Sequence, residues 1–221
     1  MKYIIMCGGK YNWFTTPKQL KEVNGEPLVK RTIRLLKQNG IEDIAISSTD
    51  TRFDNLGVPR LEHNNTFEEI KEDGKDKIKG YWVDAFYPSN DPVCYLYGDV
   101  FYTNECIKTI INTQTEDILF FASTKVCRED YFKQWEEPFA FKVVNQKRFK
   151  EAIQICKRKR DNGETKREPI SWEVYRVLNG IPINKHRITT GFIPINDMST
   201  DIDNENDIIE LEKIIKKLGD K

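Results

Sequence analysis

The chain has 221 residues, 38% hydrophobic and 11% aromatic, with 35 basic residues set against 35 acidic ones. That is enough apolar material for a full core in a single domain, residues 1–221. A net charge near zero argues against a nucleic-acid or membrane-surface binder held by a basic face. Five widely spaced cysteines (Cys7, Cys94, Cys106, Cys127, Cys156) with no C-x-x-C pair suit reduced thiols in a cytoplasmic protein better than disulfides or a zinc site.

Lys2-Tyr-Ile-Ile-Met-Cys7 is a continuous apolar run ending in Gly8-Gly9. It is too short for a signal peptide or a spanning helix, and reads as a strand buried on both faces. A loop over Lys10–Pro17 leads to a helix from Pro27 to Asn39. Val29, Ile33 and Leu36 share one face of it, and Gly40 stands where a C′ residue belongs. Asp43–Ser47 is the next strand, so the opening reads as a βαβ unit. The polar stretch from Thr51 to Gly80 carries weak patterning, with a helix expected near Thr66–Lys79. Val93–Tyr97 is a strand ending in Gly98-Asp99. A helix near Asn104–Ile111 precedes the strand Asp117–Ser123. Pro138–Val144 alternates like a strand, Lys147–Arg160 reads as a strongly basic helix, Asp161–Pro169 as a loop and Ile170–Leu178 as a helix. A closing helix over Asn204–Leu218 puts Ile208, Leu211, Ile215 and Leu218 on one face, with Asp203 at its N-cap. Alternating strands and helices with buried strands indicate an α/β domain with a mainly parallel sheet.

Three pieces carry chemistry. The first is the loop from Cys7-Gly8-Gly9-Lys10 to Pro17-Lys18. Glycines after a buried strand let backbone amides approach phosphate oxygens, and Lys18 adds a movable charge. A Gly-Gly pair by itself is more often an ordinary turn, and the loop matches neither the Walker-type nor the dinucleotide fingerprint. The second is Gly98-Asp99 at a strand's carboxyl end, where open α/β sheets bind ligands and a carboxylate can hold Mg²⁺ against a triphosphate. The third is Asp201-Ile-Asp203. Alternation along an extended segment turns its two carboxylates to opposite sides.

In this order and spacing, Met6-Cys-Gly-Gly9, Pro17-Lys-Gln-Leu20, Asn24-Gly-Glu-Pro-Leu-Val29, Tyr97-Gly-Asp-Val100 and Asp201-Ile-Asp203 resemble the nucleotidylyltransferase superfamily. Its members include sugar-phosphate nucleotidylyltransferases and the phosphocholine and methylerythritol-phosphate cytidylyltransferases. The resemblance implies a three-layer, Rossmann-like (GT-A-like) α/β fold with a mainly parallel mixed sheet. Residues 1–124 would form the nucleotide-binding half, 125–200 the acceptor-binding part, and 201–221 the metal aspartates and last helix. It implies that Lys18 and Asp99 are catalytic. Cys7, Gly8, Gly9, Lys10, Lys18 and Gly98 would line the nucleotide, and Asp99 with Asp203 or Asp201 would bind Mg²⁺. Tyr11 and Trp13 stand where the family has a glycine and an arginine, and Lys10 is a candidate replacement charge.

The reaction implied is attack by a phosphate monoester on the α-phosphorus of a nucleoside triphosphate, with pyrophosphate leaving. CTP is favoured, because Pro17-Lys-Gln19 resembles the methylerythritol-phosphate enzymes' loop. The partners are then a nucleoside triphosphate and a phosphorylated small molecule, with no nucleic acid or membrane and a homodimer left open. A phosphomonoester with a second pKa of about 6 is already ionised at neutral pH, which agrees with a chain holding two histidines, His63 and His186, and no Ser-His or Cys-His constellation. Lys142, Arg167, Lys185 and Arg187 are candidate contacts for an anionic acceptor, and Trp135 or Trp172 candidate walls; taken singly, each is more commonly a surface cation or core aromatic. Lys157-Arg-Lys-Arg160 reads as a solvated helix face. Two other readings stand beside this one. A GT-A glycosyltransferase would show a D-x-D motif at the middle strand, which Gly98-Asp-Val-Phe101 lacks. A non-catalytic nucleotide-binding protein is suggested by Tyr11 and Trp13.

Overall fold

The structure is a computed structural model that describes residues 1–8, 10–11, 16–65, 67–72, 75–123, 137–186 and 191–218. In chain order its elements are β1 (Lys2–Met6), β2 (Lys10–Tyr11), β3 (Glu22–Val23), β4 (Glu26–Pro27), α1 (Leu28–Gln38), β5 (Ile44–Ser47), β6 (Arg60–Leu61), β7 (Glu68–Glu72), β8 (Lys75–Lys79), β9 (Val93–Tyr97), β10 (Val100–Phe101), α2 (Asn104–Asn112), β11 (Ile118–Ser123), β12 (Glu137–Val143), α3 (Gln146–Asp161), α4 (Ser171–Leu178), β13 (Ile193–Pro194), β14 (Thr200–Asp201) and α5 (Glu205–Leu218). Short 3-10 turns occur at Lys18–Leu20, Thr51–Phe53 and Trp82–Ala85.

The apolar runs β1, β5 and β9 lie side by side at the middle of a seven-stranded sheet of order β13-β11-β12-β9-β1-β5-β6. Only β12 runs antiparallel to its neighbours. Strands buried on both faces need no polar alternation, which is why every residue of β5 and β9 is apolar or small and buried. Tyr95 stacks on Phe149 of α3, and Phe120 meets Trp172 and Tyr175 of α4. Lys142 pairs in register with Cys94, and its Nζ donates to the carbonyls of Ile111 and Thr113 at 2.9 and 2.8 Å. Since neighbouring side chains on a strand alternate, α3 and α4 cover one face and α2 the other. α1 contacts α2 and completes that second outer layer. This is the expected three-layer α/β architecture.

α1 buries Val29, Ile33 and Leu36. It ends at Gly40, whose φ of 79° and hydrogen bond to Lys37 form the expected C-terminal turn. Asn24 and Gly25, both at positive φ, turn β3 into β4. A smaller apolar cluster of Val23, Leu28, Phe101, Ile202, Leu211 and Ile215 ties α5 to this hairpin, the start of α1 and β10.

The helix expected near Thr66–Lys79 is not formed. β7 and β8 pair antiparallel there, and β7 runs parallel to β2, so part of the expected loop Lys10–Pro17 is a strand. Glu72 pairs with Lys75, and the intervening sequence is Asp73-Gly74, a two-residue hairpin signal. The Lys157–Arg160 tetrad is not simply solvated. Lys157 and Arg160, one helical turn apart, both sit over the Tyr81 ring and pair with Asp84 and Glu168.

Candidate active site

The carboxyl ends of β1, β5 and β9 form one edge of the sheet, and the motif residues meet there. A Cβ built on Gly98 would lie 2.6 Å from Cys7 Sγ, 2.6 Å from the Met6 carbonyl and 2.9 Å from Gln19 Cγ. Only glycine lets β9 pass so close to the end of β1 and the Lys18–Leu20 turn. The Gly98 amide donates to Met6, and the Cys7 amide to Ser47. Cys7 and Gly98 therefore place the loop and Asp99 rather than offering their own amides to a ligand. Burial, with Asp99 nearby, pushes the Cys7 thiol well up, so it remains protonated. Gly8 abuts the Asn65 side chain, whose Oδ1 accepts from the Phe67 amide. Gly9 and Trp13 lie outside the described residues, as do Cys127, Trp135 and Arg187; of Lys10 and Tyr11 the structure gives the β2 backbone.

Lys18 opens the 3-10 turn behind Pro17, and only 9% of its side chain is exposed. Its ammonium lies 2.9 Å from Asp99 Oδ2 and 3.4 Å from Asp203 Oδ1. Residues 185 positions apart in the chain thus share one charge cluster. β10 and β14 pair, the Ile202 amide donates to the Asp99 carbonyl, and the small apolar cluster holds α5 behind them. Asp203 is not the N-cap. Asn204 Oδ1 accepts from the amides of Asn206 and Asp207, while Asp207 Oδ2 accepts from those of Asp203 and Asn204. This reciprocal cap releases the Asp203 carboxylate for Lys18. Asp201 lies in β14, its amide donating to Glu137.

Glu137 escaped the sequence reading. It is 3% exposed, and its Oε2 accepts from Thr200 Oγ1 and the Asp201 amide, both at 3.1 Å. It thereby fixes the strand that delivers Asp203. A buried carboxylate beside Pro138 at a strand start gave no periodic signal. Tyr102 is a second such residue. Its hydroxyl donates to the Phe139 carbonyl at 2.6 Å and accepts from the Tyr97 amide at 3.0 Å, bracing the strand end that carries Asp99.

Two of the candidate acceptor cations are committed elsewhere. Lys142 is buried, with its pKa held below the usual lysine value by burial, and it caps the end of α2. Arg167 pairs with the buried Glu173, which also binds Arg176. Lys185 is exposed, and Trp172 is a packed aromatic. A groove of about 810 Å³ lined by Asn90, Lys147, Lys150 and Arg158 lies along α3 and contains none of the motif residues.

Among the described residues no group of three or more His, Cys, Asp or Glu converges as a metal cage. Two carboxylates with open positions for phosphate oxygens and water are, however, how Mg²⁺ is commonly held beside a triphosphate. Asp99 and Asp203 fit that requirement, with oxygen donors converging on one cation.

The same fold occurs in three solved structures. One is a Bacillus anthracis protein assigned as a glucose-1-phosphate thymidylyltransferase and solved with sucrose (TM-score 0.51, 15% identity, covering 99% of this chain and 96% of that one). Another is the inositol-1-phosphate CTP transferase of T. maritima (TM-score 0.52, 16% identity, 98% and 96%). The third is the CTP:phosphocholine cytidylyltransferase of Streptococcus pneumoniae (TM-score 0.51, 16% identity, 97% and 98%). The chain is similar to these nucleotidyltransferases in fold. No protein-family signature matches it, and no curated protein matches its sequence. Among the described residues, no helix is long and apolar enough to cross a membrane.

Proposed function

We propose that the protein joins a nucleoside triphosphate, with CTP favoured, to a phosphorylated small molecule and releases pyrophosphate. The observation that carries this reading is Lys18 Nζ set between the carboxylates of Asp99 and Asp203 at the carboxyl edge of the sheet. An oxygen of the acceptor's phosphate attacks the α-phosphorus, the bond from that phosphorus to the bridging oxygen breaks, and the leaving oxygen departs with pyrophosphate. The nucleophile is already anionic, so no general base is required. Positioning and charge neutralisation then supply the catalysis. Asp99 and Asp203 would hold Mg²⁺, which when bound neutralises the phosphate oxygens and orients them. Lys18 offsets the charge on the triphosphate, and Gly8, Gly9 and Lys10 line its path. In this reading residues 1–221 act as one unit, with the acceptor met by the part spanning 125–200.

The test is pyrophosphate release over the four nucleoside triphosphates and a panel of acceptor phosphates, with and without Mg²⁺. Turnover that needs the metal, the triphosphate and an acceptor together supports the reading. Hydrolysis of a nucleotide sugar, or nucleotide binding without turnover under every combination, overturns it.

A further inference from the structure

The groove along α3 lies apart from the Lys18 cluster. β12 runs antiparallel to β9, and its last residue, Val143, pairs with Val93 at the start of β9. Asn90 and Lys147, at one end of the groove, therefore stand near the amino edge of the sheet, opposite the edge that carries Lys18 and Asp99. α3 buries Phe149, Ala152 and Cys156. Lys147, Glu151, Gln154 and Arg158 recur at helical spacing on its outer side and line the groove. α3 carries seven cations against Glu151 and Asp161. Four of the cations are paired with carboxylates: Arg148 with Asp117, Lys157 with Asp84, Lys159 with Glu164 and Arg160 with Glu168. The other three, Lys147, Lys150 and Arg158, have no carboxylate partner among the described residues; Lys150 donates to the neutral Asn90 Oδ1 at 2.8 Å. All three line this groove. A second groove, of about 430 Å³ between α1 and α2, is lined by Arg31, Arg34 and Lys108. Those cations have their own counter-charges, Glu26 beside both arginines and Glu105 beside the lysine. One cationic groove is thus neutralised from within the fold, and the groove on α3 is not.

We infer that the α3 groove is a docking surface for an acidic segment of a partner protein, independent of the proposed reaction. Charge complementarity carries the inference. The stripe from Lys147 to Arg158 rises about 16 Å along the helix, the span of about five extended residues. A single phosphate or carboxylate placed between Lys147 and Lys150 would leave Arg158 unused, so the matching ligand is elongated and carries several charges. The half-buried Ile155 gives the groove an apolar spot, and the exposed amides of Asn90 and Gln154 suit a peptide backbone. The lining holds no aromatic ring, so single-stranded bases would find nothing to stack on. The expected segment therefore spreads carboxylates over several residues with an apolar residue among them. Glu151 lies within the stripe and opposes such a ligand. The attraction is then moderate, and at exposed charges it falls as salt is added.

Fluorescence anisotropy at low salt tests this with a labelled peptide of repeating Glu-Glu-Leu, beside a labelled oligouridylate of matching length. The peptide should bind the full chain. The charge reversals Lys147→Glu, Lys150→Glu and Arg158→Glu, made together, should weaken it about tenfold or more. Glu151→Lys should tighten it about two- to fivefold. Lys108→Glu, in the groove that holds its own counter-charges, should leave the affinity unchanged. The four α3 positions are exposed, so the melting temperature should stay near that of the unmodified protein. Absence of peptide binding, equal weakening by Lys108→Glu, or tighter binding of the oligouridylate overturns the docking surface. So does a dimer that the triple reversal dissociates, because a second copy would then fill the groove.

Discussion

Next to α1, the Lys18 cluster is paired before any ligand arrives, one ammonium held by the carboxylates of Asp99 and Asp203, 104 positions apart. At α4, the Glu173 carboxylate is buried and paired with Arg176 and Arg167. The first region is an electrostatic cluster, where opposing charges hold the geometry; in the proposed reaction a phosphate group with its metal would exchange into it. The second is an ion-pair cluster that joins α4 to the loop before it, its carboxylate also accepting from the Ile170 amide. Removing a group should therefore be read out in different measurements. Next to α1 it is expected to cost turnover; at α4 it is expected to cost stability, because it leaves a buried charge unpaired.

The sharpest break in that comparison is Lys18→Ala. Deleting a nearly buried cation between two carboxylates should lower kcat/KM by roughly 10²–10³ and raise the KM for the triphosphate. It should also destabilise the protein, because breaking a buried pair is costly. An unchanged kcat/KM removes Lys18 from the site. Next, Asp203→Asn should cost about 10²-fold in kcat with Mg²⁺, while Asp201→Asn should stay within about threefold, because the Asp203 carboxylate pairs with Lys18 whereas Asp201 lies in β14 with its amide on Glu137. Equal losses would mean that both carboxylates serve the metal. Gly98→Ala forces a methyl against the Met6 carbonyl and should cost about 1–3 kcal/mol of stability by chemical denaturation. A wild-type stability would show that β1 and β9 can separate. A smaller loss than in Lys18→Ala or Asp203→Asn is expected of Glu137→Gln. The amide keeps one oxygen for Thr200 and the Asp201 amide, so kcat should fall about tenfold or less, equivalent to roughly 1.4 kcal/mol, with little change in melting temperature.

The parallel centre of the sheet was legible because β1, β5 and β9 are continuous apolar runs, and burial on both faces leaves that mark on a sequence. α1 was legible through its apolar stripe and Gly40. The 68–79 hairpin was not. Its charged residues support a surface helix or a surface strand equally, and only Asp73-Gly74 distinguished the two. Lys18, Asp99 and Asp203 could each be named from the sequence, but their convergence could not. It depends on the small apolar cluster around Leu211 and on a helix cap that uses Asn204 and Asp207 in place of Asp203. Lys142 looked like a ligand cation because a sequence does not show which face of β12 meets a helix end. Glu137 and Tyr102 act through the backbone of other strands, and no local pattern records such contacts.

The central claim is that Asp99 and Asp203 hold the metal that a triphosphate needs, with Lys18 between them. It is tested most directly by Mg²⁺-dependent pyrophosphate release from CTP and a sugar phosphate in Asp99→Asn, a change that keeps the side chain's shape. The account predicts a loss of about 10²–10³ in kcat with the fold retained by circular dichroism. Release at the wild-type rate in the folded variant would contradict it.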